Sequence, residues 1–359
     1  MKAKNGIYSC CKVSEYGVAI YQHICRKRTA VIVVSLANFV LQQIDKIMKR
    51  QIFGSFTALM VLLVAISCER KSEEHFNTNK EKMDTTESLP IKPNERGFAD
   101  VNGLKMYYEV YGEGKPLIMV HGSFMTIPMN WAQIIPMLAK DRKVIVAEMQ
   151  AHGRTKDIQR AFTYENMADD VSGLISHLKL DSVDVLGYSM GAGVGFQMGV
   201  RHPEQVRRLV ILSGVYKNDG WLPEVEKSFE TMNAEMFKGS PIQQQYDSLG
   251  NDPAKFSDFI DKVMSIDRKA YDWSKEVKNI KAPIFMAIGD SDGIRYEHAL
   301  ELFRAKGGGK MGDINGLPKS RLAILPGKTH IGLISQPDIL IPMVKNFLDS
   351  DLNTAPPTF

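Results

Sequence analysis

Gly187-Tyr188-Ser189-Met190-Gly191 follows a short apolar run, Val183 to Leu186, and precedes a helix-like stretch. That order sets a serine on a sharp strand-to-helix turn, a nucleophile elbow, with its hydroxyl exposed above the end of a parallel sheet. The flanking glycines have a steric reason. So tight a turn brings strand and helix against positions 187 and 191, and its central residue takes an unfavourable backbone conformation. G-x-S-x-G alone also fits an ordinary glycine-rich turn, so the surrounding chain has to decide.

Outward from the elbow, short apolar runs alternate with amphipathic segments. Phe98 to Val101 and Lys105 to Tyr111 flank Asn102-Gly103, a hairpin signal. Leu117 to Val120, Val144 to Ala147, Leu209 to Leu212, Ile284 to Ile288 and Leu322 to Leu325 are short apolar stretches of the kind that form buried parallel strands. Tyr164 to Leu178 and Pro337 to Leu348 carry helical spacing. The pattern predicts an α/β fold with crossover helices on both faces of the sheet. In such a sheet ligands bind at the carboxyl ends of the strands, which singles out the loops that follow them.

From about Phe98 to Asp349 the chain resembles the α/β-hydrolase superfamily. The resemblance rests on His121-Gly122 after the third strand, His152-Gly153 after the fourth and the elbow after the fifth. An aspartate after the strand that follows an insertion, and Gly327-Lys328-Thr329-His330 near the end, complete it. The order Ser, Asp, His is that family's. It implies a mostly parallel eight-stranded sheet with flanking helices and a helical cap over residues 97–359, the cap inserted at about 215–282.

The resemblance also implies roles. Ser189 is the expected nucleophile; a neutral hydroxyl attacks carbonyls poorly and needs a base, expected in His330. Gly289-Asp290-Ser291-Asp292-Gly293 offers two orienting acids. The family's spacing after the strand-ending glycine favours Asp292 and leaves Asp290 as a turn residue. The backbone N–H groups of Ser123 and Met190 are the expected oxyanion donors. His121 and His152 read as loop braces. Glu148-Met149-Gln150-Ala151-His152-Gly153 departs from the commoner Asp-x-Arg-Gly-His-Gly, which can alter the pocket rim and leaves the triad untouched.

The insertion holds Trp221, Phe229, Met232, Met236, Phe237, Phe256, Phe259, Met264 and Trp273. Most are expected to pack the cap's own helices, and a few to line an apolar pocket. Gly307-Gly308-Gly309-Lys310 lacks phosphate-loop spacing and precedes a strand. The twin aspartates lack the rest of a calcium loop. Neither a metal nor a cofactor is expected.

Residues 1–68 hold nine of the 45 Lys/Arg and only Glu15 and Asp45 among the 41 acids, so the remaining chain has 36 bases against 39 acids. A nearly neutral body excludes a broad electrostatic case for nucleic acid. Met48-Lys49-Arg50, the apolar stretch Ile52 to Ile66 and Ser67-Cys68 follow the order of a secretory signal. Ala65-Ile66-Ser67-Cys68 resembles a bacterial lipobox, which implies a lipid on Cys68 and a membrane-tethered envelope protein. An uncleaved anchor helix is the competing reading. Residues 1–47 read as an upstream extension, 48–68 as the signal segment and 69–96 as a polar tether. All four cysteines (10, 11, 25, 68) lie in the leader, so the body carries neither disulfides nor a thiol nucleophile.

Together these features imply a cofactor-free serine hydrolase acting on a small apolar ester or lactone. A cofactor-free haloperoxidase or perhydrolase, a carbon–carbon bond hydrolase or a peptidase would use the same three residues. A non-catalytic surface binding lipoprotein is the alternative of another class.

Overall fold

The computed structural model describes residues 90–352. The upstream extension, the signal segment with Cys68 and most of the tether lie outside the described residues. Eight strands form one sheet: β1 (Glu95–Val101), β2 (Leu104–Tyr111), β3 (Lys115–Val120), β4 (Arg142–Ala147), β5 (Val183–Tyr188), β6 (Val206–Leu212), β7 (Ile284–Ser291) and β8 (Arg321–Thr329). Their order is β1-β2-β4-β3-β5-β6-β7-β8. Only β2 runs against its neighbours, pairing antiparallel with both β1 and β4.

Each central strand is apolar along its length because the sheet is covered on both sides. β5 is buried at all six positions. On one face Ile118, Ile145, Val185 and Ile211 pack with Met167, Val171 and Leu174 of the Tyr164–His177 helix and Val194 of the Met190–Arg201 helix. On the other face Leu117, Val146, Leu186 and Val210 meet Ile127, Trp131 and Leu138, and Leu340, Val344 and Phe347 of the Pro337–Asp349 helix.

Two boundaries differ from the sequence reading. Glu95 and Arg96, assigned to the tether, already pair with Val110 and Glu109, so the fold begins two residues earlier. Their side chains are exposed, as an edge strand allows, which hid them in a polar stretch. β8 continues past Pro326, because after an irregularity Thr329 pairs again with Ser291. His330 therefore leaves the sheet directly, without an intervening loop.

Between β6 and β7 lie the helices Pro223–Thr231, Pro241–Ser248, Phe256–Met264 and Ser274–Lys278 with three short 3-10 turns. Phe256, Phe259 and Met264 are buried there, whereas Met236 is 65% exposed. The segment is latched to the core by Lys262 to Asp157 (2.6 Å) and Lys156 to Asn251 (2.7 Å).

Candidate active site

Ser189 sits between the buried β5 and the Met190–Arg201 helix with φ +54° and ψ −116°. Its N–H donates to Leu212 O of the neighbouring strand at 2.9 Å, which holds the turn against relaxation. A left-handed backbone at a non-glycine residue costs on the order of 1–3 kcal/mol. The glycines make the turn possible. A Cβ at Gly187 would lie 2.0 Å from Gly191 O, and one at Gly191 would lie 2.0 Å from Val120 O.

The structure brings Ser189, His330 and Asp292 into one hydrogen-bonded line. His330 Nε2 lies 2.9 Å from Ser189 Oγ, and Nδ1 lies 2.8 Å from Asp292 Oδ1. Nδ1–H donates to the carboxylate, which leaves Nε2 to accept from the hydroxyl. Asp292 is only 5% exposed. Its Oδ1 also accepts from Gly293 N–H at 2.7 Å, and its Oδ2 from Ser213 Oγ–H at 2.5 Å. Burial pushes its pKa up, but the hydrogen bonds of His330, Ser213 and Gly293 and the His330 charge outweigh that and hold it below the usual carboxylate range. Tyr188, beside the serine, donates its hydroxyl to His330 O at 3.1 Å.

Asp290 does not join this line. Its exposed carboxylate accepts from Lys328 N–H at 3.2 Å and from Ser291 Oγ–H at 3.2 Å, so it ties the β7 turn to the segment that carries His330. Ser213 and Tyr188 were missed by the sequence reading. Ser213 stands just past the end of β6 with φ +48°, and only its position at a strand's carboxyl end could have marked it.

The loop after β3 passes close to the serine: a Cβ on Gly122 would lie 3.4 Å from Ser189 Cβ. Three of its N–H groups are committed. Gly122 N–H goes to Asn130 Oδ1 (2.9 Å), Phe124 N–H to His152 Nε2 (3.2 Å) and Met125 N–H to Gly122 O (3.3 Å). Among the described residues the N–H of Ser123 has no acceptor, and neither has that of Met190 at the first turn of its 12-residue helix. Free amides at a helix N-terminus favour negative charge.

His121 and His152 hold this loop. His121 Nε2 accepts from Met149 N–H (3.0 Å) while Nδ1 faces Gly122 O (2.8 Å). His152 repeats the arrangement with Phe124 N–H and Gln150 O (2.9 Å). Burial pushes His121 down to about 4 and His152 well below its ordinary value, so both are neutral braces. Of the residues that depart from the family pattern, Glu148 is buried and takes Arg154 N–H at 2.6 Å and the Arg154 guanidinium at 2.9 Å. Ala151 occupies φ +68°, where glycine is at ease.

A family model described as alpha/beta hydrolase fold matches residues 115–265. The solved meta-cleavage product hydrolase of Pseudomonas fluorescens IP01 superposes with a TM-score of 0.58 at 19% identity, covering 72% of this chain and 98% of that one. The enol-lactonase of Burkholderia xenovorans LB400 gives 0.55 at 21%, covering 70% and 100%. The fold is the α/β-hydrolase fold. In sequence, a 2-hydroxymuconate semialdehyde hydrolase of Pseudomonas sp. (strain CF600) is 36% identical over 115 residues, 31% of this chain and 40% of that protein. The chain thus spans about two fifths of the length of that curated relative. Within this α/β-hydrolase fold the matched region runs from β3 through the elbow into the inserted helices. Asp292 and His330 lie beyond it.

Proposed function

We propose that this chain is a serine hydrolase that cleaves a carboxylic ester or lactone through an acyl-enzyme. The continuous hydrogen-bonded line from Asp292 through His330 to Ser189 carries the reading. As Ser189 Oγ attacks the carbonyl carbon, His330 Nε2 takes its proton, and Asp292 stabilises the imidazolium and fixes its tautomer. The carbonyl oxygen becomes an oxyanion facing the N–H groups of Ser123 and Met190. Loss of one such donor typically costs about 3–4 kcal/mol of transition-state stabilisation. Collapse of the tetrahedral intermediate breaks the carbon–oxygen bond, and His330 returns the proton to the leaving alkoxide. Water, deprotonated by His330, then attacks the acyl carbonyl and releases the acid. The cycle uses no cofactor.

Aromatic cap residues lie close to the reacting groups, Phe229 packing on Trp221, which in turn packs on His330, and Phe237 on Phe124 of the loop after β3, and such apolar surroundings suit an apolar ester or lactone. Likeness to the enol-lactonase supports the same class by fold alone. Carbon–carbon bond hydrolysis is the second reading, favoured by the sequence relationship to the 2-hydroxymuconate semialdehyde hydrolase. Stopped-flow hydrolysis of p-nitrophenyl esters from acetate to decanoate decides between them. Ester chemistry predicts a burst of nitrophenolate equivalent to the enzyme present, abolished in Ser189→Ala. No turnover of any ester, with cleavage of 2-hydroxymuconate semialdehyde, would favour the second reading instead.

Attachment to a membrane of the bacterial envelope through a lipid on Cys68 belongs to the same proposal. Cys68→Ser should move the protein from the membrane pellet to the soluble fraction. Continued tight association would assign the anchor to an uncleaved apolar segment.

A further inference from the structure

The segment from Arg304 to Arg321, which links the Tyr296–Ala305 helix to β8, has no part in the chemistry above. It carries Arg304, Lys306, Lys310, Lys319 and Arg321 against the single acid Asp313, in a body whose bases and acids nearly balance. It also holds Met311, Ile314 and Leu317, which are 60%, 70% and 57% exposed. No other seven-residue stretch among the described residues exposes more than two large apolar side chains so far. Apolar residues scattered singly over a surface are ordinary, but a cluster of them marks a contact surface.

Local structure fixes the cluster. Gly308 N–H donates to Phe303 O at 2.9 Å, folding the segment back on its helix, and a single helical turn follows at Gly312–Asn315. Ile314 N–H donates to Met311 O at 3.3 Å and Gly316 N–H to Gly312 O at 2.8 Å. Met311 at the start of the turn and Ile314 within it are three residues apart, which puts them on one face. Leu317 closes over Gly312, where a Cβ would lie 2.9 Å from Leu317 Cδ2. Lys306, Lys310 and Lys319 of the same segment, with Lys281 from just before β7, line a cavity of about 520 Å³. Among the described residues no carboxylate pairs with any of these four lysines, whereas Lys217 and Lys278 share Glu301 at 3.4 and 3.5 Å.

We propose that this segment is a membrane-docking surface, in which Met311, Ile314 and Leu317 enter the outer part of a bilayer and the four lysines hold anionic lipid phosphates beside them. An apolar tip bordered by long cationic side chains suits that setting, because lysine stems run along apolar surface while their ammonium groups stay at headgroup level. A protein partner fits less well, since lysine is depleted in protein interfaces. Lys281 and the segment stand before the amino ends of β7 and β8, while Asp292 and His330 follow their carboxyl ends. β8, nine residues long, separates the two by roughly 25 Å. A membrane under the patch therefore leaves Ser189 facing water, out of reach of bilayer lipids, and the substrate arrives from solution. Docking itself requires neither hydrolase chemistry nor a lipid on Cys68; only the source of the substrate rests on the serine-hydrolase reading.

For the test, the full chain is reconstituted with vesicles of phosphatidylcholine, alone or with equimolar phosphatidylglycerol, whose brominated acyl chains quench tryptophan. Ile314→Trp reports the tip, and the native chain with Trp131, Trp221 and Trp273 supplies the background. Quenching of the added indole should be at least twofold stronger in the anionic vesicles. Lys281→Glu, Lys310→Glu and Lys319→Glu together should bring it down to the neutral level with near-ultraviolet circular dichroism unchanged, and raised ionic strength should do the same without those three substitutions. Equal quenching in the two compositions, or a preference that survives both salt and the lysine substitutions, overturns the docking surface. So does the absence of quenching, whether or not the vesicles carry the chain; a crosslink between Lys310 residues of two copies would then give the face to a second copy. The indole reads docking independently of turnover, so a chain that docks without hydrolysing esters would overturn the hydrolase alone.

Discussion

Asp292 and Asp290 stand two residues apart and have separate tasks. Asp292 is buried and accepts from His330, Ser213 and Gly293, whereas Asp290 is exposed and accepts from Lys328 N–H. Asp292→Asn would turn an amide toward His330 Nδ1 and favour the wrong tautomer, so kcat should fall by roughly 10³–10⁴-fold, with KM little changed. Asp290→Asn keeps an acceptor for Lys328 N–H and should cost no more than about threefold, the scale of a few tenths of a kcal/mol. Steady-state kinetics of the two variants checks this, and the reverse ranking would exchange the two roles. Ser189, His330 and Asp292 were legible because each follows a recognisable strand in the order Ser, Asp, His. Ser213 and Tyr188 were not, because their bonds to Asp292 and His330 join strands that meet only in three dimensions.

Among the elements, the strands could be read because burial on both faces demands unbroken apolar runs, as in β3 and β5. The edge strand β1 was cut short for the opposite reason. The cap was legible only as a length of chain, since its Pro223–Thr231 and Pro241–Ser248 helices are short, mostly polar and bury no residue fully. Asp267, near the end of the cap, could not be distinguished from a surface acid until Tyr164 and Tyr271 were placed around it. Its titration has a measurable sign. The folded-state pKa is raised from 3.8 to about 6, so its contribution to stability is fully present below pH 3.8 and is lost as pH rises through 6. Asp267→Asn does not titrate. Relative to the native chain it should gain on the order of 1–2.5 kcal/mol between pH 4 and pH 7.5; the upper figure corresponds to the part of the rise in pKa that this window spans, and the lower allows for solvent reaching part of the side chain. Urea unfolding of both proteins at the two pH values measures the difference. Parallel stability across that range would mean that the carboxyl is solvated.

Across the molecule, every residue assigned to the chemistry lies at the carboxyl ends of β3, β5, β7 and β8 or in the turn after them. A cavity of about 520 Å³ lined by Lys281, Lys306, Lys310 and Lys319 lies between the Tyr296–Ala305 helix and the start of β8, at the other end of the sheet. Another of about 640 Å³ lies under the latch between Lys262 and Asp157. Neither is lined by Ser189 or His330. Catalysis by this chain requires Ser189 to be a nucleophile activated by its surroundings, and that is open to one direct measurement. Peptide mapping by mass spectrometry after brief exposure of the folded chain to a fluorophosphonate should place a single stoichiometric adduct on Ser189, absent in His330→Ala. A folded protein that leaves Ser189 unmodified would contradict hydrolase chemistry and favour a binding protein that keeps the fold without it.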